Sequence, residues 1–134
     1  MAVQLGTTVR NARLDAIETT VGTAAKLYIR TGAAPADCAT ADSGSLLATI
    51  DCPSDWLAAA SGGAKAKSGT WSVAASGTGT AAHFRIKDSG GTTCHMQGTI
   101  TATGGGGDMT VDNTSIASGQ TVTVTTFTLT DGNA

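Results

Sequence analysis

The sequence predicts a mainly β protein: a small β-sandwich or jelly-roll-like domain carrying one N-terminal α-helix. Three observations lead there. From about residue 25 onward, apolar and polar residues alternate with a period of two, as in strands with one buried face. The alternating runs are short and separated by Gly, Ser, Thr and Asp, the residues that turns require. Only one segment, about residues 8–21, carries apolar residues at helical spacing. A chain of 134 residues suits one domain and is short of two, so residues 1–134 form a single domain, with the helix at about 8–21 and the β domain at about 25–131.

The helix is TVRNARLDAIETTV. Asn11, Asp15 and Glu18 share one face, and Leu14, Ile17 and Val21 lie on another. Thr7 or Thr8 is expected to cap the start, and Gly22 to end it. Arg10 and Arg13 sit in the first half and Glu18 near the end, the reverse of what the helix dipole favours by a few tenths of a kcal/mol. Two readings stay open: so small an effect is simply overridden, or the arginines are aimed at carboxylates on a neighbouring subunit.

Strands follow. AKLYIRTG sets Leu27 and Ile29 against Lys26, Tyr28 and Arg30. AAPADCATADSG is a loop, and SLLATIDC at 45–52 is a strand closed by Pro53. Residues 54–69 are mixed, with a helical turn expected from Asp55 to Ala60 and a break at Gly62 and Gly63. Further strand-like runs occupy 70–75, 81–88, 92–102, 108–112 and 120–130.

One hairpin can be taken to its register. Phe84 and Ile86 alternate inward on one side, and Cys94, Met96 and Ile100 on the other. A three-residue loop at 89–91 places Ile86 opposite Cys94 and Phe84 opposite Met96, with His83, Arg85 and His95 outward. In the last strand, Val122 and Val124 have one parity and Phe127 and Leu129 the other. Either a bulge at Thr125-Thr126 turns both pairs inward, or the strand is partly buried on both faces.

Composition narrows the function classes. The hydrophobic share is 40%, but 23 of those residues are alanine, so large apolar side chains are few. A domain so built gains little burial energy per residue against an ordering cost of roughly 1–2 kcal/mol each. Burial against copies of itself or a partner is the expected remedy. The net charge of −2, with basic residues scattered at Arg10, Arg13, Lys26, Arg30, Lys65, Lys67, Arg85 and Lys87, offers no stripe for nucleic acid. Apolar runs are too short to span a membrane. The N-terminus lacks the basic-then-apolar order of a secretory signal, so synthesis in a cytoplasm is expected.

Motifs for chemistry are sparse. Cys38, Cys52 and Cys94 show no zinc spacing; Cys94 reads as a buried small hydrophobe. Cys38 and Cys52 flank one strand-like run and are near enough to meet, although cytoplasmic synthesis argues against a required bridge. His83 and His95 fall on the polar face, roughly 7–8 Å apart in the register above, with no third metal ligand and with Arg85 opposite His95. No serine stands in a GxSxG elbow, and GGGGDMTVDN at 104–113 has neither the Lys-Ser/Thr of a phosphate loop nor the repeats of a calcium solenoid. It reads as a flexible loop entering a strand. No catalytic residue, metal or other cofactor is expected. Trp71 opens a strand and belongs to the core; Trp56 in PSDWLAAASGG is either core or an interface anchor.

Three stretches carry a resemblance: VRNARLDAIETTVGTAAKLYIRTGAAPADC, AAHFRIKDSGGTTCHMQG and GGDMTVDNTSIASGQTVTVTTFTLTDGNA. Together they cover more than half of the chain and look like small virion proteins of tailed bacteriophages, most like head decoration (cement) proteins. The resemblance implies a structural, non-enzymatic role on the capsid exterior. The implied partners are the major capsid protein and copies of the chain itself as a homo-oligomer, with no nucleic acid and no membrane. Tail and fibre components are the alternative, as is a receptor- or sugar-binding β module, although only five aromatics are present for stacking on sugars. Candidate assembly residues are Val3 and Leu5 before the helix, Arg10 and Arg13 on it, and Trp56 and Leu57 in the mixed segment.

Overall fold

A computed structural model describes residues 3–132. The chain forms α1 (Thr7–Val21) and strands β1 (Lys26–Arg30), β2 (Leu46–Asp51), β3 (Ala64–Ala66), β4 (Ser72–Ala74), β5 (Gly79–Thr80), β6 (His83–Lys87), β7 (Cys94–Ala102), β8 (Met109–Val111), β9 (Ser115–Ile116) and β10 (Thr121–Thr130). One sheet runs β2-β1-β6-β7-β8-β10-β3, with β4 also paired to β10, and β5 and β9 make a separate two-stranded ribbon. The large sheet curls until its ends meet: the N–H groups of Ser76 and Gly77, just past β4, donate to the Leu47 carbonyl of β2 at 2.9 and 3.1 Å. The fold class is the one the sequence predicts, mainly β with one N-terminal helix, and the sandwich-like layers come from this curl.

The core is threaded by aromatics. Trp56 and Trp71 lie with ring centroids 6.0 Å apart, Trp71 and Phe127 5.7 Å, and Phe127 meets Phe84 edge-on at 5.5 Å. Four of the five aromatic residues therefore form one continuous chain, which concentrates burial in a sequence short of large side chains. Leu27, Ile29, Leu47, Ile50 and Ile86 pack around it.

Helix α1 docks by its polar face as well as its apolar one. Leu14 and Val21 are buried. On its polar face, Asn11 accepts the Gly63 N–H, Asp15 accepts the Ala60 N–H, and Glu18 accepts the Leu57 N–H. Lys65 on β3 completes this comb, reaching Asp15 and Glu18 at 2.8 Å each. The Ala60 N–H, which a helical turn at residues 55–60 would direct to the Trp56 carbonyl, goes to Asp15, and that carbonyl accepts the Ser68 N–H, so the expected turn does not form. Instead Leu57 bridges to Lys67 and Ala58 donates to Ala66. The arginines also find partners within the chain: Arg13 lies 3.2 Å from Asp131, and Arg10 donates to the Asp131 carbonyl at 3.0 Å. They tie α1 to the residue that follows β10. The start is capped by Gly6, whose carbonyl accepts Val9 and Arg10, and no threonine side chain caps it; Gly22 ends the helix as expected. Lys65→Ala is expected to cost about 2 kcal/mol in urea denaturation. That lies below the cost of breaking a fully buried pair because Asp15 is half exposed and regains water.

The β6–β7 register departs from the expected one. Ile86 pairs with Met96 and Phe84 with Gly98, each two residues further along than the sequence suggests. The loop holds four residues, 89–92, because Asp88 donates its N–H to Thr93 and its side chain accepts the Thr92 N–H. A bulge between Ile86 and Lys87, at the level of His95, adds the second residue. The two shifts cancel in parity, so Phe84 and Ile86 still face inward. Gly98 makes room for this pairing: a Cβ there would sit 2.8 Å from the Asp108 carboxylate and 2.9 Å from the Phe84 ring. In β10 the pairing shifts between Val124 and Thr126, so the expected bulge is present and Val122, Val124 and Phe127 are all buried.

The glycine run has a geometric role. β7 and β8 are parallel neighbours, Ile100 facing Met109 and Ala102 facing Val111. Parallel neighbours ordinarily need a crossover of a dozen residues or more; here residues 103–108 make the return. Gly104 and Gly106 take φ of 84° and 81°. Gly105 and Gly107 pass against Thr101, where added Cβ atoms would come within 2.7 and 2.9 Å of it.

Candidate functional site

A cluster of ionisable side chains lies on the outer face of β1, β6 and β7, under the loop at 31–45. Alternation places Arg30, His83, Arg85, Lys87 and Gln97 there, opposite the core. His83 and Arg85 are not solvated as the sequence suggested, while Arg30, Lys87 and Gln97 are half-buried. The loop folds over them, and both His83 and Arg85 are 1% exposed.

Arg85 is the centre. Its Nη1 donates to Asp42 Oδ1 at 2.6 Å, and its Nη2 donates to the carbonyls of Cys38 and Asp37 at 2.9 and 3.2 Å. Lys87 donates to the other Asp42 oxygen at 2.9 Å, and Arg30 lies 3.8 Å from it. Three cations thus converge on one carboxylate. Burial alone would raise the Asp42 carboxyl, but hydrogen bonds from Lys87 and Arg85 outweigh it and hold the group below its ordinary value. Around this centre, His83 Nδ1 donates to Gly32 O at 2.7 Å, Gln97 donates to Pro35 O at 2.7 Å and Arg30 Nε donates to Ser43 O at 2.9 Å. A carbonyl only accepts, so His83 carries a proton on Nδ1. Lys87 also stands 5.1 Å over the Tyr28 ring.

Beside this cluster opens a polar cavity of about 200 Å³ lined by Cys38, Asp42, Arg85, Lys87, Thr92 and Cys94 among others. The two thiols lie with Sγ atoms 2.9 Å apart. Burial, then the neighbouring Cys38 thiol, push Cys94 up to about 11. Cys94 is half-buried at this cavity, not sealed in the core; the cysteine that is sealed is Cys52, 4% exposed and pushed up to about 12 by burial. Cys38 therefore faces Cys94, and the Cys38–Cys52 meeting considered from spacing does not occur.

The two histidines are separated. His83 sits under the loop opposite Thr99, Arg85 lies opposite Gln97, and His95 lines a groove of about 250 Å³ beside Arg13, Ile17 and Val21 of α1. Among the described residues, no group of three or more His, Cys, Asp and Glu stands close enough to hold a metal ion.

The expected assembly residues scatter. Val3 is 84% exposed, Leu5 is half-buried, and Arg10 and Arg13 are engaged with Asp131. Trp56 and Leu57 are core residues, 0% and 1% exposed, and the Trp56 Nε1–H donates to Gly22 O at 2.9 Å, satisfying a carbonyl at the helix end. The segment bearing Trp56 thus offers no aromatic anchor to a partner. Sequence reasoning missed the Arg85–Asp42 cluster. Its one visible signal was the unusual length of the loop at 31–45, since long loops in small domains commonly have work to do.

A scan of protein-family models and searches of curated proteins and solved structures find no match to this chain. Among the described residues, no helix is long and apolar enough to cross a membrane.

Proposed function

We propose that the protein is a structural component of a bacteriophage virion that decorates and stabilises the outer face of the capsid, bound to the major capsid protein as a homo-oligomer. The observation that carries the reading is the resemblance of the helix–β1, β6–β7 and β8–β10 stretches to small phage virion proteins. The use of the polar side chains supports it. Arg10, Arg13, Lys65 and Arg85 are spent on fastening the helix and the long loop to the sheet. The N-terminal end meanwhile leaves Val3 and Val9 exposed, at 84% and 48%. Apolar side chains at one end of a small, weakly charged domain suit attachment by many modest contacts repeated over a symmetric shell.

The test is binding of purified protein to bare capsids of the phage that encodes it, with a particle reconstruction. Density is expected on the shell exterior, and bound protein is expected to melt higher than the isolated chain. A Val3→Asp, Val9→Asp double variant should bind shells on the order of tenfold more weakly, because each exposed valine is worth up to about 1.5 kcal/mol on burial. Its own melting temperature should stay unchanged. Density confined to the tail would replace this reading with a tail component.

A further inference from the structure

We propose that Cys38 and Cys94 form a reversible disulfide that covalently fastens the 31–45 loop to β7. The inference rests on the thiols and their surroundings, and it stands whether or not the protein belongs to a virion.

All three cysteines are thiols in the structure. Cys38 and Cys94 are placed from opposite sides. Cys94 is held in the ladder opposite Lys87, next to the His95 bulge, and the backbone of Cys38 is held by the Arg85 guanidinium through its carbonyl. Their sulfurs stand 2.9 Å apart. A disulfide bond of about 2.05 Å therefore needs the two sulfurs to close by less than 1 Å. The pair also opens to solvent through the polar cavity, so an oxidant can reach it. Arg85 and Lys87 line that cavity, so an anionic oxidant meets positive charge there. Cys52 has none of these features, being buried in the core away from this cavity.

Glutathione disulfide, which carries carboxylates, is a suitable oxidant class. Cys38 loses its proton and its thiolate attacks one glutathione sulfur, expelling glutathione thiolate and leaving a mixed disulfide on Cys38. Cys94 then loses its proton and attacks Cys38 Sγ, expelling the second glutathione thiolate. The two cysteines lose two electrons and two protons, and one glutathione disulfide becomes two glutathione thiols. Cys94 suits the second step, since burial and its neighbour hold its thiol at about 11 and leave little thiolate to start the exchange. The bond would join residues 56 apart in sequence, a closure large enough to raise the melting temperature by roughly 10 °C.

The experiment treats the full-length reduced protein with glutathione disulfide, then counts thiols in denaturant, maps peptides by mass and records melting curves. One remaining thiol, a Cys38–Cys94 cross-linked peptide and a melting rise of roughly 10 °C reversed by dithiothreitol are expected. Cys38→Ser and Cys94→Ser should each melt like the reduced protein and fail to respond to oxidant, while Cys52→Ala should keep the response. Three persistent thiols, a bridge that includes Cys52, disulfide-linked dimers, or an equal melting shift in Cys94→Ser would each overturn the proposal.

Discussion

Trp71→Ala is expected to destabilise the protein by about 4 kcal/mol, the cost of truncating a large buried aromatic. Few domains hold more than about 5–15 kcal/mol in total, so this one change should take the chain close to unfolding. Trp71 is 0% exposed and stands between Trp56 and Phe127, so its removal interrupts the aromatic chain in the middle. Its Nε1–H donates to Ser68 O at 3.0 Å, which pins the segment leading into β4. Trp71→Phe separates these contributions: it keeps most of the ring volume, loses that hydrogen bond, and should cost about 1–2 kcal/mol. Urea denaturation read by far-UV circular dichroism measures both variants. An alanine variant within about 1 kcal/mol of the parent would mean that the stability resides elsewhere than in the aromatic chain.

That core was partly legible in the sequence, and the reason is geometric. Leu14, Ile17 and Val21 recur at a helical period, and Leu27 and Ile29 alternate, so each announces an inward face without knowledge of its partner. The bulge in β10 was visible because two apolar pairs of opposite parity cannot both point inward along a regular strand. The β6–β7 register was not, because an extra loop residue and a bulge at His95 cancel in parity and leave the same faces buried. What parity reports is orientation toward the core; it is silent about cover on the other side. His83 and Arg85 were rightly turned away from Phe84 and Ile86, yet they are buried under a loop whose contacting residues lie more than 40 positions away. The same limit hid the meeting of Cys38 with Cys94 and the docking of the helix through its acidic face.

Arg85→Ala should be the most damaging change outside the apolar core, costing about 3–5 kcal/mol. The guanidinium is 2% exposed and joins the Asp42 carboxylate to the carbonyls of Asp37 and Cys38, so three anchors of the 31–45 loop go at once. Lys87 and Arg30 remain beside Asp42, and that compensation keeps the expected loss from going higher. Arg85→Met tests the division between charge and packing: it refills much of the volume, leaves the two carbonyls unpaired, and should cost less than the alanine variant. The loop should also become the first site of proteolytic cleavage in both variants, before global unfolding. Acid gives an independent check. A carboxyl held below its ordinary value of 3.8 contributes stability that is fully present above that pH and is lost as pH falls through the lower, folded-state value. Loop opening, followed by hydrogen exchange at residues 31–45, is therefore expected to begin below about pH 3.8 in the parent protein. In Arg85→Ala that acid step should shrink, because one of the hydrogen bonds that depress Asp42 is gone. If the loop exchanged equally fast in parent and variant at neutral pH, Arg85 would be a buried passenger and the loop would be held by its other contacts, the His83 and Gln97 hydrogen bonds.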